Sequence, residues 1–487
     1  MLDKLSWPIL ANFCRTVLQV LLNIVLAYYL SPSEYGLIAL VLPVTLLILL
    51  VGDLGFSAVI VRTDRLMSQD VDVAMSMLFM FGIAVLTFAI GAYLSGAFNF
   101  LPAQLGLLIV GFAFVVFFAI SAVVPRALLE RKLEYKVISG IETISSLFGA
   151  SVAFFCAHAG WGVWSFLFYH IILQLSRSIG FFQFAKYRPH FTLDKTGLKK
   201  LFTFGSWVVG FSITNFFSRN FDNYIIGGLL GTAALGSYAI SYQIMLLPLA
   251  AITWPISGVL VSMLSKIRQD PIQFKTVFLN VLSLVASITV PAMSFVAGFG
   301  SLVIKVFLSE HWQAAGITTE RLAIAGALQS LTSFVGVVFI VNGLVKKQFY
   351  IGIVTTILTL SAIAVAARFG SLVDVVNTYV GLAIAYTIFY AKITKETLQC
   401  RYHDLIVIVA PSMCAVIFSF ILYALAISVS WEIKSDVQHL ITGFICFAFG
   451  TLSAGLLFRR HLTSTFIKLR ELRLSTSDNT YLEVGAL

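Results

Sequence analysis

Arg15 stands in one of the most apolar stretches of the chain, NFCRTVLQVLLNIVLAYYL at residues 12–30, together with Asn12, Gln19 and Asn23. Spacings of three, four and four put these side chains on one face of a helix. Two hundred residues later the pattern returns as Ser212, Asn215, Arg219 and Asn223, with Arg219 one turn out of register with Arg15. A guanidinium is a planar fork of donors suited to phosphate. The chemistry open to two such stripes facing one cavity is therefore anion binding. A diphosphate fits them and an amphiphilic cation does not. Two plainer readings stay open: Arg15 could snorkel to lipid headgroups, and Arg219 could pair along its helix with Asp222 at i+3.

The elements that must carry these residues follow from composition. The chain has 487 residues, of which 59% are hydrophobic and 11% charged, against about 25% charged in a soluble domain. The mean hydropathy is +0.96. So few charges exclude a water-soluble fold, and the absence of strand-like alternation argues against a barrel. Fourteen apolar runs are long enough to span hydrocarbon as helices: 9–30, 37–61, 73–97, 104–125, 138–157, 161–183, 202–229, 235–262, 276–300, 322–344, 349–367, 373–391, 404–429 and 437–458. The expected fold is an all-α integral membrane protein of about 14 transmembrane helices. Of its 32 Lys and Arg, 26 fall on the side of the N-terminus, four on the other side, and Arg15 and Arg219 inside spans. This count places Arg177 on the N-terminal side, at the edge of the sixth span. That bias puts both termini in the cytoplasm. It also makes the net charge of +10 a topological signal, so no nucleic-acid partner is expected. A charge at bilayer depth is a functional hypothesis by default.

The basic stretch KYRPHFTLDKTGLKKLFTFGSW at 186–207 follows six spans and contains Pro189, so it reads as a linker. The expected organisation is an N-lobe at 1–185, a cytoplasmic linker at 186–201 and a C-lobe at 202–400. Helices 13 and 14 follow at 401–458 and a polar tail at 459–487. Comparing 5–62 with 205–262 gives 12 identities, among them Trp7/Trp207, Asn23/Asn223 and Gly36/Gly236. Repeats six helices apart run parallel and are related by a pseudo-two-fold along the membrane normal, a transporter architecture. Cys14, Cys156, Cys400, Cys414 and Cys446 have no paired spacing, so neither a disulfide framework nor a metal site is expected. The first apolar run lacks a cleavage pattern and reads as a span rather than a signal peptide.

Two segments carry a family likeness: LSPSEYGLIALVLPVTLLILLVGDLGFSAVIVR at 30–62 and VPRALLERKLEYKVIS at 124–139. With them the chain resembles the oligosaccharide flippases of bacterial polysaccharide export, within the multidrug/oligosaccharidyl-lipid/polysaccharide superfamily. The nearer likeness is to its colanic-acid-exporter-like members of lipopolysaccharide and capsule biosynthesis. The resemblance implies two six-helix lobes in a V around a basic cavity. It implies a flippase, not an enzyme, in the bacterial inner membrane. This would move undecaprenyl-pyrophosphate-linked oligosaccharide from the cytoplasmic to the periplasmic leaflet by alternating access. Implied partners are that lipid-linked substrate, membrane lipids, and polysaccharide polymerase and chain-length proteins; no cofactor is implied. Two other functions are weighed beside it. A drug or organic-cation exporter should carry carboxylates in its bundle, where this chain shows Arg15 and Arg219. A membrane polysaccharide polymerase generally needs a large periplasmic loop, which the apolar spans leave no room for.

Other motifs have double readings. Asp53 in GDLG (52–55) could couple to a cation or pair with a neighbouring helix. PRALLERKLEY (125–135) is basic and amphipathic through Leu128, Leu129 and Leu133. It reads as a helix lying on the inner membrane surface, where it could also meet a lipid diphosphate, and Glu142 could pair with it. His170 could titrate near neutral pH or serve packing. Pro43, Pro248, Pro255 and Pro291 interrupt helices and could bend them during a conformational cycle or be static kinks. DVD at 70–72, expected in a loop, matches an Asp-x-Asp pattern of glycosyltransferases but has no globular domain beside it. No Walker loop or zincin motif occurs, so the driving force is expected from an ion, voltage or substrate gradient.

Overall fold

In hydrocarbon a backbone has no water to bond, so only helices and closed barrels satisfy it. The computed structural model, which describes residues 15, 18, 19, 21–53, 56–62, 68–190, 192, 216, 219–308, 310–429 and 435–457, follows that rule: the described residues form helices and no strand. In chain order they are α1 (21–29), α2 (Pro32–Asp53), α3 (Phe56–Arg62), α4 (Ser68–Leu94), α5 (Ala103–Ser121), α6 (Val123–Arg131), α7 (Tyr135–His158), α8 (Val163–Ala185), α9 (219–230), α10 (Thr232–Pro248), α11 (Trp254–Lys266), α12 (Pro271–Phe307), α13 (Gln313–Thr332), α14 (Val335–Val341), α15 (Val345–Phe369), α16 (Leu372–Leu398), α17 (Tyr402–Val429) and α18 (Asp436–Leu457). Ten helical stretches among the described residues are long and apolar enough to cross a membrane. Helices stand at every expected span from the second to the sixth and from the eighth to the fourteenth. The first and seventh spans lie partly outside the described residues.

The chain divides into two compact units, Met1–Ala239 and Ile240–Leu487. In the first, α5 packs on α2, α4 and α8, and α7 packs along α8. Leu26, Ile38, Leu108, Phe112, Ala153 and Val163 form one buried cluster there; Phe56, Leu78, Ile120 and Val124 form another. In the second unit α12 is the central rod, with α13, α17 and α18 against it. Its 37 residues run about 55 Å, well beyond a hydrocarbon core of about 30 Å. Near its ends, Lys275 pairs with Asp404 of α17 and Lys305 with Asp436 of α18, both at 2.5 Å.

Lipid offers no hydrophobic drive between helices, so close packing by small residues substitutes for it. In the first unit the start of α2 crosses the start of α10. A Cβ on Gly36 would overlap the Thr232 carbonyl oxygen, and a Cβ on Gly236 would overlap the Pro32 carbonyl oxygen. The contact is reciprocal, and its two sides are the 200-residue repeat found in the sequence. Nearby, Glu34 accepts from the Ser31 amide at 2.9 Å and from the Val163 amide at 3.3 Å, fixing the start of α2 against that of α8.

Three local expectations change. DVD lies in the first turns of α4 rather than a loop; Asp72 accepts a 2.6 Å hydrogen bond from Tyr187, strapping the chain after α8 to α4. PRALLER continues from α5 as α6, whose Val124, Ala127 and Leu129 are fully buried against protein. Its apolar face is satisfied within the bundle, not by lipid at the surface; only Leu133, beyond the helix end, is exposed as expected. Pro43 and Pro291 sit inside continuous helices, whereas Pro248 and Pro255 flank a π-helical turn at Leu249–Thr253. That turn absorbs the backbone bonds two prolines cannot make.

The glycine crossing predicts a sharp contrast. Gly36→Ala or Gly236→Ala forces backbone apart and should cost about 1–3 kcal/mol. Gly91→Ala in α4, where an added Cβ meets nothing within 4 Å, should add about 1 kcal/mol through helix propensity. Melting temperatures of the purified protein in detergent should fall for the first two and rise for the third.

Candidate functional site

On α8, His170, Gln174 and Arg177 are spaced by four and three and share one helical face. On α7, Glu142 and Ser146 do the same. These faces meet Arg15 and Gln19 of the first helical segment, with Thr45 of α2 and Tyr169 of α8. Together with Leu18, Leu42 and Leu173 they line a cavity of about 300 Å³, Glu142 standing at the arginines beside it. A second cavity of about 450 Å³ adjoins Thr45, lined almost wholly by apolar side chains of α2, α4 and α5 with Tyr224. The first is the one that can hold a charged ligand.

Its electrostatics turn on one carboxylate. Glu142, 9% exposed, forms an ion pair with Arg15 through Oε2 and reaches the Arg126 Nε with Oε1 at 3.5 Å. Arg126, on α6 and half exposed, also pairs with Glu130 at 3.0 Å. Arg177 has its Nε buried without a hydrogen-bond partner, and among the described residues it forms no ion pair. Two guanidiniums thus share one buried carboxylate, and a third, Arg177, lines the cavity with Arg15 and has no ion-pair partner among the described residues. A buried charge in this condition is costly unless something completes it. His170 is held among the rings of Phe166, Tyr169 and Phe112, with centroids 4.8, 4.9 and 5.7 Å away. Its role at the wall is packing and a polar edge. Among the described residues no group of His, Cys, Asp or Glu is gathered for a metal.

The expected residues divide between places. Arg15 and Gln19 line the cavity, and Asn23 follows one turn further along the same segment. Glu142 joins the basic cluster as expected, through Arg126, and also takes Arg15, which the sequence did not suggest. Arg219 is exposed on α9 and is not among the residues lining this cavity. The buried carboxylate of Asp222 accepts from the Tyr238 hydroxyl at 2.7 Å and the Asn223 amide at 3.0 Å. The Asn223 side chain donates to the Ala39 carbonyl at 3.4 Å, so this stripe ties α9 to α2 and α10. Asp53 closes α2, but its side chain, like Asn12, Ser212 and Asn215, lies outside the described residues. Arg177 was the residue missed. It sits eight residues before the end of α8 and reads from sequence as part of the basic segment beyond. The stripe His170–Gln174–Arg177 was the available signal.

The profile of a family described as "Polysaccharide biosynthesis protein" matches residues 25–316. The chain is 23% identical over 459 residues to the teichuronic acid biosynthesis protein TuaB of Bacillus subtilis (strain 168), covering 91% of this chain and 93% of TuaB. It is 24% identical over 284 residues to the lipopolysaccharide biosynthesis protein WzxC of Escherichia coli (strain K12), 58% of each chain. In fold it is similar to the lipid II flippase MurJ in an inward closed conformation, with a TM-score of 0.68 at 13% identity, over 93% of this chain and 99% of that one.

A buried cation with no ion-pair partner among the described residues should lower stability. Arg177→Met, which keeps the stem and removes the charge, should raise stability by about 1–4 kcal/mol, as replacing buried charge often does. The check is a denaturation curve in detergent. A fall instead of a rise would mean that Arg177 is held as a structural element.

Proposed function

The chain belongs to the polysaccharide biosynthesis protein family, and on that premise we propose that it is a flippase of undecaprenyl-pyrophosphate-linked oligosaccharide, with the diphosphate bound by Arg15 and Arg177. The reading is supported by one observation above the others. A membrane bundle keeps an arginine-lined cavity with more positive than negative charge. Such a site attracts an anion and repels an organic cation, which disfavours the drug-exporter alternative. Two guanidinium forks from different helices match a group bearing several phosphate oxygens. Gln19, Gln174 and the hydroxyl of Tyr169 add neutral donors that can follow the bridging oxygens or the first sugar.

In this reading the protein lies in the bacterial inner membrane with both termini in the cytoplasm, as the Lys and Arg bias supports. Substrate enters from the cytoplasmic leaflet past the basic residues of α6 and leaves on the periplasmic side. Lobes at 1–185 and 202–400, joined by 186–201, alternate access to the site. Helices at 401–458 and the tail at 459–487 stand outside that exchange. Polymerase and chain-length proteins would take the product.

The test is complementation of a flippase-null strain, with membrane abundance measured in parallel. Arg15→Ala and Arg177→Ala should abolish polysaccharide export at normal abundance. Lysine at either position keeps charge but not the fork, so it should restore export in part. Arg219→Ala separates two versions of the site. Near-normal export confines the diphosphate to Arg15 and Arg177, and loss of export returns Arg219 to the binding face. Normal export by both the Arg15 and Arg177 alanine variants would contradict the proposal.

A further inference from the structure

Glu142 poses a problem for an anion site, because an anion already occupies it. Resting on the reading above, the question is what a buried carboxylate does among arginines meant for a diphosphate. Its two oxygens are divided, Oε2 to Arg15 and Oε1 to Arg126. Its side chain is 12% exposed. The neighbouring Ser146 hydroxyl donates to the Glu142 main-chain carbonyl at 2.7 Å, so that hydroxyl does not serve the carboxylate. A carboxylate bridging two guanidiniums stands where phosphate oxygens would stand.

The two arginines are not equivalent. Arg126 is half exposed and has a second carboxylate in Glu130 at 3.0 Å. Arg15 is 21% exposed and lines the cavity with Arg177. We propose that Glu142 is the resident anion of this cluster, which the substrate diphosphate displaces from Arg15 while Arg126 retains it. The exchange keeps Arg15 paired at both stages and brings an anion to Arg177, which forms no ion pair among the described residues. Before it, Arg15 is matched by Glu142. After it, Arg15 and Arg177 hold the diphosphate, and Glu142 remains with Arg126. The like charge of Glu142 beside the bound diphosphate weakens the complex, and a carrier must release what it binds. Glu142 therefore sets affinity for the diphosphate class of ligand and is a positioning residue for Arg15 in the empty state.

The experiment is isothermal titration of the purified full-length protein in detergent with inorganic pyrophosphate, at fixed pH and ionic strength. Glu142→Gln removes the competing charge and should bind pyrophosphate about tenfold more tightly than wild type. Its polysaccharide export in cells should fall despite the tighter binding. Glu142→Asp keeps the charge and should bind within about threefold of wild type, since the competing anion remains; it also serves if the Gln variant does not fold, as judged by monodispersity. In that event tightening of more than tenfold in Glu142→Asp would overturn the proposal. Unchanged or weaker pyrophosphate binding by folded Glu142→Gln overturns it as well, and leaves the flippase reading standing if Arg15→Ala still loses binding. Wild type, Glu142→Gln and Arg15→Ala all failing to bind pyrophosphate would overturn both.

Discussion

A buried charge in a membrane bundle must be completed by a partner, because neither lipid nor packed side chains can solvate it. In this protein that requirement organises the first unit around Glu142. The carboxylate joins a segment before α1, the helix α6 and its own helix α7 through Arg15 and Arg126. Arg177 on α8 remains as surplus positive charge beside it. Leu18, Leu42, Leu46 and Leu173 line the same cavity with His170, which stands among aromatic rings. The helices could pack more stably around a neutral core. Keeping the charge fits the proposed binding of an anion there.

A second constraint is backbone proximity. Gly36 and Gly236 let two helix starts touch through their carbonyls, which side chains of any size would prevent. The reciprocal geometry gives the 200-residue repeat a structural use: each copy supplies the glycine that the other copy's backbone needs. Polar interior contacts follow the same economy of partners. Asp222 finds Tyr238 and Asn223, and Ser241, Thr319 and the Ala315 carbonyl form a closed chain in the second unit.

Much of the fold was legible in the sequence because hydrocarbon thickness fixes helix length and helix period fixes faces. The apolar runs locate the helices, and Arg15 stands out because a guanidinium in such a run has no cheap explanation. What was not legible depended on which helices become neighbours. Glu142 is an ordinary residue near the start of its helix until packing brings Arg15 to it. Arg177 reads as loop charge because it precedes Lys186 and Arg188 by about three turns, and only α8 continuing to Ala185 carries it inside. DVD and PRALLERKLEY were misplaced for a related reason: polar residues at helix starts look like loop or surface until the partner, Tyr187 or the α8 wall, is known. The resemblance to polysaccharide flippases carried the family and the polar stripe carried Arg15 and Gln19, whereas Arg177 and the pairing of Glu142 with Arg15 came from geometry.

The account depends on the diphosphate of a lipid-linked oligosaccharide reaching the cavity between Arg15 and Arg177. A photo-crosslinking amino acid placed at Gln174, on the cavity wall, reads this directly in membranes supplied with radiolabelled undecaprenyl-pyrophosphate-linked oligosaccharide. Crosslinking should label the protein, should be competed by excess inorganic pyrophosphate, and should disappear when Arg15 is alanine. Labelling that is indifferent to pyrophosphate and to Arg15, or labelling absent at Gln174 while export continues, would contradict the account.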